Sequence, residues 1–306
     1  MNLKTKEITL TTEHIEPPER TDRSISYVAW IMLTLKFVIF WYLAYFFITG
    51  YQNNEIHFDS TFFLFILAGF VAQIIDGALG MAYGVSCTSL LLALGVPPKL
   101  ASASVHTSEV FTTGVSGLSH IKFNNIDKPL FFKIVITGVI GASLGAYLLS
   151  GVFDGNLIKP YISIYLLILG IYIFSKIFRN QQKTPTKTKS IPFLAFFGGL
   201  LDAIGGGGWG PIVTSNLLSQ GHSPRYTIGT VNTAEFFVTY FATAIFIFVL
   251  GVQHLDIVLG LVIGGVIAAP FGAYLASRIN PKTLLIMVST LIIITSLWGI
   301  FQSFGL

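Results

Sequence analysis

Four acidic residues interrupt stretches of sequence that are otherwise almost entirely apolar. They are Asp76, Glu109, Asp202 and Glu235, and they form two pairs separated by the same 126 residues. A charge at hydrocarbon depth costs free energy, so each residue is expected to have a function or a specific partner. One interpretation makes them proton carriers or gates beside a substrate cavity. The other makes the aspartates caps of the helices that follow and lets the glutamates tie a helix to broken backbone nearby. Both interpretations stay open.

Each aspartate begins a cluster of small residues, DGALGMAYG at 76–84 and DAIGGGGWG at 202–210. Glycine clusters interrupt helices. A helix that starts after such a break presents unpaired N–H groups and the positive end of its dipole, which suits an oxyanion. Close helix packing is the alternative explanation. The anion-binding interpretation predicts substrate contacts at Gly80, Gly84, Ser86, Gly206, Gly207, Gly208, Trp209 and Gly210.

A third group of polar residues lies in SASVHTSEVFTT (102–113) and in its counterpart TIGTVNTAEFFVT (227–239). Here the first copy has a histidine where the second has an asparagine. The imidazole would either titrate beside an anion or stay neutral and bond to a neighbouring helix. The predicted substrate-binding set is completed by His106, Thr107, Asn232 and Thr233.

The composition indicates a membrane protein. The 306 residues are 53% hydrophobic and only 10% charged, and their mean hydropathy is +0.74. Soluble domains carry about a quarter charged residues, so a soluble enzyme domain and a nucleic-acid-binding protein are excluded. The continuous apolar runs also exclude an outer-membrane barrel, whose strands would alternate. With one cysteine and no HExxH motif, we expect no metal site, no cofactor and no enzyme activity.

The apolar stretches predict the helices that cross the membrane. Residues 1–26 are polar and predict a disordered cytoplasmic tail, and 27–49 predicts an extra first span. Two later stretches, 61–94 and 191–221, are too long for one span and contain the glycine clusters, so each predicts a broken or re-entrant hairpin. The remaining predicted spans are 102–121, 130–150, 158–177, 226–250, 256–277 and 283–303.

The distribution of Lys and Arg predicts the orientation. Segment 176–190 holds five basic residues and no acidic one, which indicates a cytoplasmic location. Counting spans from it places 15 basic residues inside, 2 outside and 1 within a span, provided that both hairpins return to their starting side. The multi-pass chain would then lie in the cell membrane with its N-terminus cytoplasmic and its C-terminus external.

The two hairpins belong to a longer internal repeat. Residues 76–113 align without a gap on 202–239, and 14 of the 38 positions are identical, including Asp, Pro and Glu pairs. Because the first unit would enter from outside and the second from inside, the sequence predicts an inverted-topology repeat, as in many secondary transporters. The predicted fold is an all-α polytopic membrane protein in which each unit is a hairpin plus three spans. The units are 61–177 and 191–303, joined by a basic cytoplasmic linker at 178–190.

At these motifs the sequence resembles the TauE/SafE sulfite exporter family of membrane transporters. The resemblance runs from about residue 62 to 303 and depends on GFVAQIIDGALGMAYG (69–84), GVPPKLASASVHTSEVFTTGVSGLSH (95–120) and their echoes at 198–211 and 221–239. It implies proton-coupled movement of sulfite or an organosulfonate such as sulfoacetate, with export favoured. The partners implied are that small anion, protons and the lipid bilayer. The alternative is a channel-like facilitator for small anions or neutral solutes on the same scaffold.

Overall fold

The protein is described here by a computed structural model that covers residues 23–53, 58–178, 190–278 and 280–304. These ranges are helical apart from short turns and contain no β-strand. The helices are α1 (Arg23–Gln52), α2 (Ser60–Leu79), α3 (Tyr83–Ala93), α4 (Pro98–Lys122), α5 (Lys128–Tyr147, extended by a π-helical turn Leu148–Val152), α6 (Gly155–Ser175, extended by a 3-10 turn Lys176–Phe178), α7 (Ile191–Gly205), α8 (Ser215–Ser219, preceded by a π-helical turn Gly210–Thr214), α9 (Pro224–Leu250), α10 (Leu255–Arg278) and α11 (Pro281–Ser303).

The first helix is longer than the predicted span 27–49, because it begins at Arg23 and ends at Gln52. It packs on α4 and α9. Lys36, the basic residue inside this span, is half-buried, and its Nζ donates to the carbonyl oxygen of Phe111 at 3.4 Å. The lysine therefore faces the helix bundle. The predicted tail up to residue 22 and the linker residues 179–189 lie outside the described residues.

Six helices in the described ranges are long and apolar enough to cross a membrane, namely α1, α2, α5, α6, α9 and α11. This confirms the all-helical, multi-span class. Helix α4 has 25 residues, which gives a length of about 37 Å. Helix α4 is less apolar than these six helices, because its buried face carries Ser102, His106, Ser108 and Glu109. A polar face buried inside a bundle is the usual location for functional side chains in a membrane protein.

Four helix pairs pack closely in the described ranges, and α5 also packs against α9. Helix α2 lies against α10, α5 against α7, α4 against α9 and α6 against α11. A shift of 126 or 127 residues carries α2, α4, α5 and α6 onto α7, α9, α10 and α11. The shift therefore exchanges the α2–α10 pair with the α5–α7 pair and maps each of the other two onto itself. A two-fold relation between two sequence units would produce this pairing.

Helices α2 and α7 end in the same way, at the glycine clusters. The residue after each helix is a glycine, Gly80 or Gly206, with φ 67° and ψ 25°. The N–H of each donates to the carbonyl oxygen of the aspartate four residues earlier, Asp76 or Asp202. Left-handed backbone of this kind terminates helices and is accessible to glycine without the steric cost that a Cβ brings. Both predicted helix breaks are therefore present.

Glycines allow the α5–α7 pair to approach closely. A Cβ atom placed on Gly141 would overlap the Phe196 carbonyl oxygen and lie 2.9 Å from its carbon. We expect Gly141→Ala to destabilise the protein by about 1–3 kcal/mol through overpacking and to lower its melting temperature in detergent. The control is Gly155→Ala at the start of α6, where the nearest atom, Lys99 Cε, lies 3.7 Å away. Equal melting temperatures for the two variants would contradict the prediction.

Candidate functional site

The two membrane aspartates each bond to the backbone beyond their own break. Asp76 Oδ1 accepts the N–H of Tyr83 at 3.3 Å, and Asp202 Oδ1 accepts the N–H of Trp209 at 2.8 Å. Tyr83 and Trp209 occupy equivalent positions at the 126-residue offset. Each carboxyl thereby satisfies an N–H group that the break leaves without a helical partner, which is the contact that the capping interpretation requires.

The two breaks pack directly against each other. A Cβ atom on Gly84 would lie 2.8 Å from Glu109 Oε1 and 3.0 Å from Gly207 Cα. One on Gly210 would lie 2.9 Å from Met81 Cβ. Thr88 Oγ1, on α3, donates a short hydrogen bond to the carbonyl oxygen of Gly206. Glycine is required here because two backbones approach closer than side chains permit.

The rest of the second cluster is enclosed by protein. A Cβ on Gly208 would overlap the Tyr165 hydroxyl, and that hydroxyl donates to the carbonyl oxygen of Gly207 at 3.1 Å. Trp209 is fully buried, and its Nε1–H donates to the carbonyl oxygen of Val231 at 3.3 Å. In this conformation Gly206, Gly207, Gly208, Trp209 and Gly210 contact other parts of the chain, as the close-packing alternative expects.

A cavity of about 350 Å³ opens beside the first break. Four of the predicted site residues line it: Asp76, Gly80, Asn232 and Glu235. The other lining residues are Gln73, Gly77, Leu79, Thr112, Thr113, Ser116, His120 and Ile228. We call these twelve residues the cavity set. The set contains two carboxyl groups, one imidazole and no Lys or Arg, and it surrounds the C-terminal end of α2, where helix carbonyls point outward.

Polar groups of the cavity set bond to each other only in part. Asn232 Nδ2 donates to Ser116 Oγ at 3.2 Å, and His120 Nδ1 lies 3.2 Å from Asn125 Nδ2. The Oε1 atom of Gln73 is buried and has no hydrogen-bond partner among the described residues. Buried polar atoms are normally satisfied, so this oxygen is available to a ligand or a water molecule.

The residues related to the cavity set by the 126-residue offset line no comparable space. All twelve of these counterpart residues are buried: Gly199, Asp202, Ala203, Gly205, Gly206, Val238, Thr239, Ala242, Phe246, Ser102, His106 and Glu109. In the cavity set, all but Thr113 and Asn232 are at least partly exposed. We call the cavity at the first break the open end and the buried counterpart residues at the second break the closed end.

His106 and Asp202 form the polar contact of the closed end. His106 Nε2 lies 3.2 Å from Asp202 Oδ2, and the two side chains are 0% and 3% exposed. His106 Nδ1 lies 2.8 Å from the carbonyl oxygen of Ser102, and the ring packs against Phe246 with centroids 5.8 Å apart. The contact joins α4 of the first unit to α7 of the second.

The remaining predicted residues are buried away from the cavity. Glu109 is 3% exposed, and its Oε2 has no partner among the described atoms; the same holds for Ser86 Oγ. Thr107 and Thr233 each donate to the carbonyl oxygen four residues earlier, at 2.7 Å. Among the residues that the structure describes, no three His, Cys, Asp or Glu side chains are grouped as metal ligands.

Several cavity residues are absent from the sequence-based set. Thr112, Ser116 and His120 follow each other at four-residue spacing on α4 and extend the polar face that begins at Ser102. That spacing could have indicated these three residues from the sequence. No sequence pattern indicates Gln73, because one amide in the apolar helix α2 is not distinctive.

A family model described as Sulfite exporter TauE/SafE matches residues 65–298. The chain belongs to the TauE/SafE family. The match covers both breaks, the cavity set and the His106–Asp202 contact, and it confirms the resemblance seen in the sequence.

The chain is also similar to a curated bacterial protein. The chain is 46% identical over 243 residues to the probable membrane transporter protein YtnM of Bacillus subtilis (strain 168). The alignment spans 76% of this chain and 80% of that protein. No solved structure matches the chain significantly. Family and relative together make this protein a multi-pass membrane transporter.

Proposed function

We propose that the protein is a proton-linked secondary transporter that exports a small sulfur-containing anion, sulfite or an organosulfonate such as sulfoacetate. The observation that carries the proposal is the cavity at the first break, whose twelve counterparts in the second unit are all buried. A transporter that opens its site to one side at a time needs this asymmetry. A channel-like facilitator needs no such asymmetry.

The electrostatics of the cavity support coupling to protons. An anion that enters meets Asp76, Glu235 and the carbonyl end of α2, with no Lys or Arg in the cavity set to compensate. Like charges repel strongly in surroundings of low dielectric constant. Binding of the anion therefore requires that protons neutralise the carboxyl groups, and this requirement links the two fluxes.

The orientation follows from the charges in the loops. The cavity lies toward the C-terminal end of α4 and the N-terminal end of α9, at His120 and Ile228. The Lys and Arg distribution predicts that both ends are cytoplasmic, with the inverted repeat returning the C-terminus to the outside. The cavity would then face the cytoplasm. An inside-negative membrane favours anion exit by about 2.3 kcal/mol per charge and 100 mV.

Flux in proteoliposomes tests the proposal. Sulfite, sulfoacetate, taurine, sulfate and acetate are supplied one at a time, with and without an imposed pH gradient, and protein-free vesicles give the background. We expect saturable flux of sulfite or a sulfonate that responds to the gradient. Rapid, non-saturating flux that ignores the gradient would favour the channel-like alternative. Flux of none of these anions by folded protein would overturn the substrate class.

A further inference from the structure

The closed end of the molecule differs from the open end at one pair of polar positions. At the closed end His106 faces Asp202 at 3.2 Å. At the open end the equivalent residues are Asn232 and Asp76, both of which line the cavity, and the Asn232 amide donates to Ser116 instead. At the closed end, a histidine thus makes the contact between the two sequence units. At the open end, an asparagine occupies the position of that histidine.

Hydrogen-bond partners place one proton on Nδ1 of His106 and require a second proton within the His106–Asp202 pair. The Ser102 carbonyl oxygen, 2.8 Å from Nδ1, accepts only. The Ser102 hydroxyl donates to the Ala203 carbonyl oxygen at 2.7 Å, so toward Nδ1 it also acts as an acceptor. Nδ1 therefore carries a hydrogen. The Nε2–Oδ2 contact needs a second one, either on the imidazolium or on a carboxylic acid.

This second proton holds the contact together. Without it, a neutral imidazole presents a lone pair to a carboxylate in a site with no water-exposed surface, and the two acceptors repel each other. With it, the pair is neutral overall and joins α4 to α7. Three titratable groups in the described ranges interact electrostatically with Asp202: Glu109 on α4 (the helix of His106), Tyr165 on α6 and Glu235 on α9.

We propose that the His106–Asp202 pair is a proton-dependent latch that holds the end of the molecule opposite the cavity closed. Loss of its proton opens that end while the cavity around Asp76 and Asn232 closes. The proposal rests on the transporter function proposed above, and it assigns His106 and Asp202 as positioning residues. It requires no knowledge of the substrate.

Two engineered cysteines at equivalent positions report on the two ends. Ser116 lines the cavity, and its counterpart Ala242 is fully buried. The native cysteine is first removed as Cys87→Val, because its counterpart in the second unit is Val213. Ser116→Cys and Ala242→Cys are then each labelled with a charged, water-soluble maleimide in purified, detergent-solubilised protein. The readout is the rate at Ala242→Cys divided by the rate at Ser116→Cys at the same pH.

We expect this ratio to be low at acidic pH and to rise by about tenfold at alkaline pH, as the latch loses its proton. His106→Asn should make the ratio high at both pH values. Asp202→Asn should keep it low at both, because the amide N–H donates to the neutral Nε2 while Oδ1 still accepts from Trp209. This conservative variant also separates the latch from the other titrating groups, which it leaves in place.

Three results would overturn the latch: a ratio that His106→Asn leaves unchanged, a ratio in Asp202→Asn that rises with pH as in the parent, or a parent ratio that does not depend on pH. If His106→Asn does not fold, Asn232→His places an imidazole opposite Asp76. It should slow labelling of Ser116→Cys by about tenfold, and normal labelling there would contradict the proposal. The labelling experiment contains no substrate. A negative labelling result would therefore contradict the latch without contradicting the proposed transport function, which the flux assay tests separately.

Discussion

Glu235→Gln is expected to lower gradient-driven flux by about tenfold or more while the uncoupled, downhill flux of the anion persists. Glu235 lines the cavity, and Gln keeps its shape and hydrogen-bonding capacity but cannot bind or release a proton at neutral pH. If the carboxyl must take up a proton before the anion enters, the variant behaves as if that proton were always present. Binding of the anion strengthens in the parent as the pH falls. In the variant we expect a weaker dependence on pH, because only Asp76 of the two cavity carboxyl groups remains.

The measurement is flux in proteoliposomes with the pH gradient present and absent, together with the pH dependence of KM. The matched control is Asp59→Asn, which removes a carboxyl group that caps the far end of α2 through Thr61 N and Phe62 N. The control should retain coupling. Loss of coupling in both variants would mean that the effect is a general response to lost charge. Unchanged coupling in Glu235→Gln would remove this residue from the proton path.

Glu109 and Glu235 are equivalent in the sequence repeat, but their surroundings in the structure differ. Glu109 is 3% exposed beside Gly84, whereas Glu235 reaches the cavity. The identical residue type therefore occupies two different environments. Roles assigned by sequence symmetry alone would make the two glutamates equivalent.

The helix breaks were predictable from local sequence. Glycine clusters end helices wherever they occur, and an aspartate before each cluster suggested the bonds to Tyr83 and Trp209 that the structure contains. The apolar stretches likewise placed the helices to within a few residues, because length and hydropathy determine what can cross a bilayer. The fold class therefore followed from physical requirements that act over a few turns of chain.

The partner of His106 was not predictable in this way. Asp202 lies 96 residues along the chain, on a helix of the other unit. A contact of this kind depends on the packing of α4 and α7, for which no local pattern exists. The position of the cavity at the first break also escaped prediction, because a repeated sequence cannot indicate which of its two equivalent ends is open. Gln73 and His120 line a cavity because the first break is the open end in this structure.

The second large effect is expected from Gly84→Val, which should reduce saturable flux by about a hundredfold. A Cβ at this position would lie 2.8 Å from Glu109 Oε1 and 3.0 Å from Gly207 Cα, so the two breaks must separate. Val also adds bulk at the start of α3, where the anion-binding interpretation places free N–H groups. The control is Gly151→Ala, whose nearest atom, Tyr147 Cε2, lies at an ordinary 3.5 Å.

KM and melting temperature separate the two explanations of the Gly84 cluster. If the start of α3 binds the anion, KM rises in Gly84→Val and in the milder Gly84→Ala, even in preparations that melt close to the parent. If the glycines serve only to let the breaks pack against each other, the melting temperature falls and KM of the remaining folded protein is unchanged. That second result would eliminate the helix-terminus anion site. The cavity set, with Asn232 and the unpartnered Gln73 Oε1, would then be the place to search for substrate contacts.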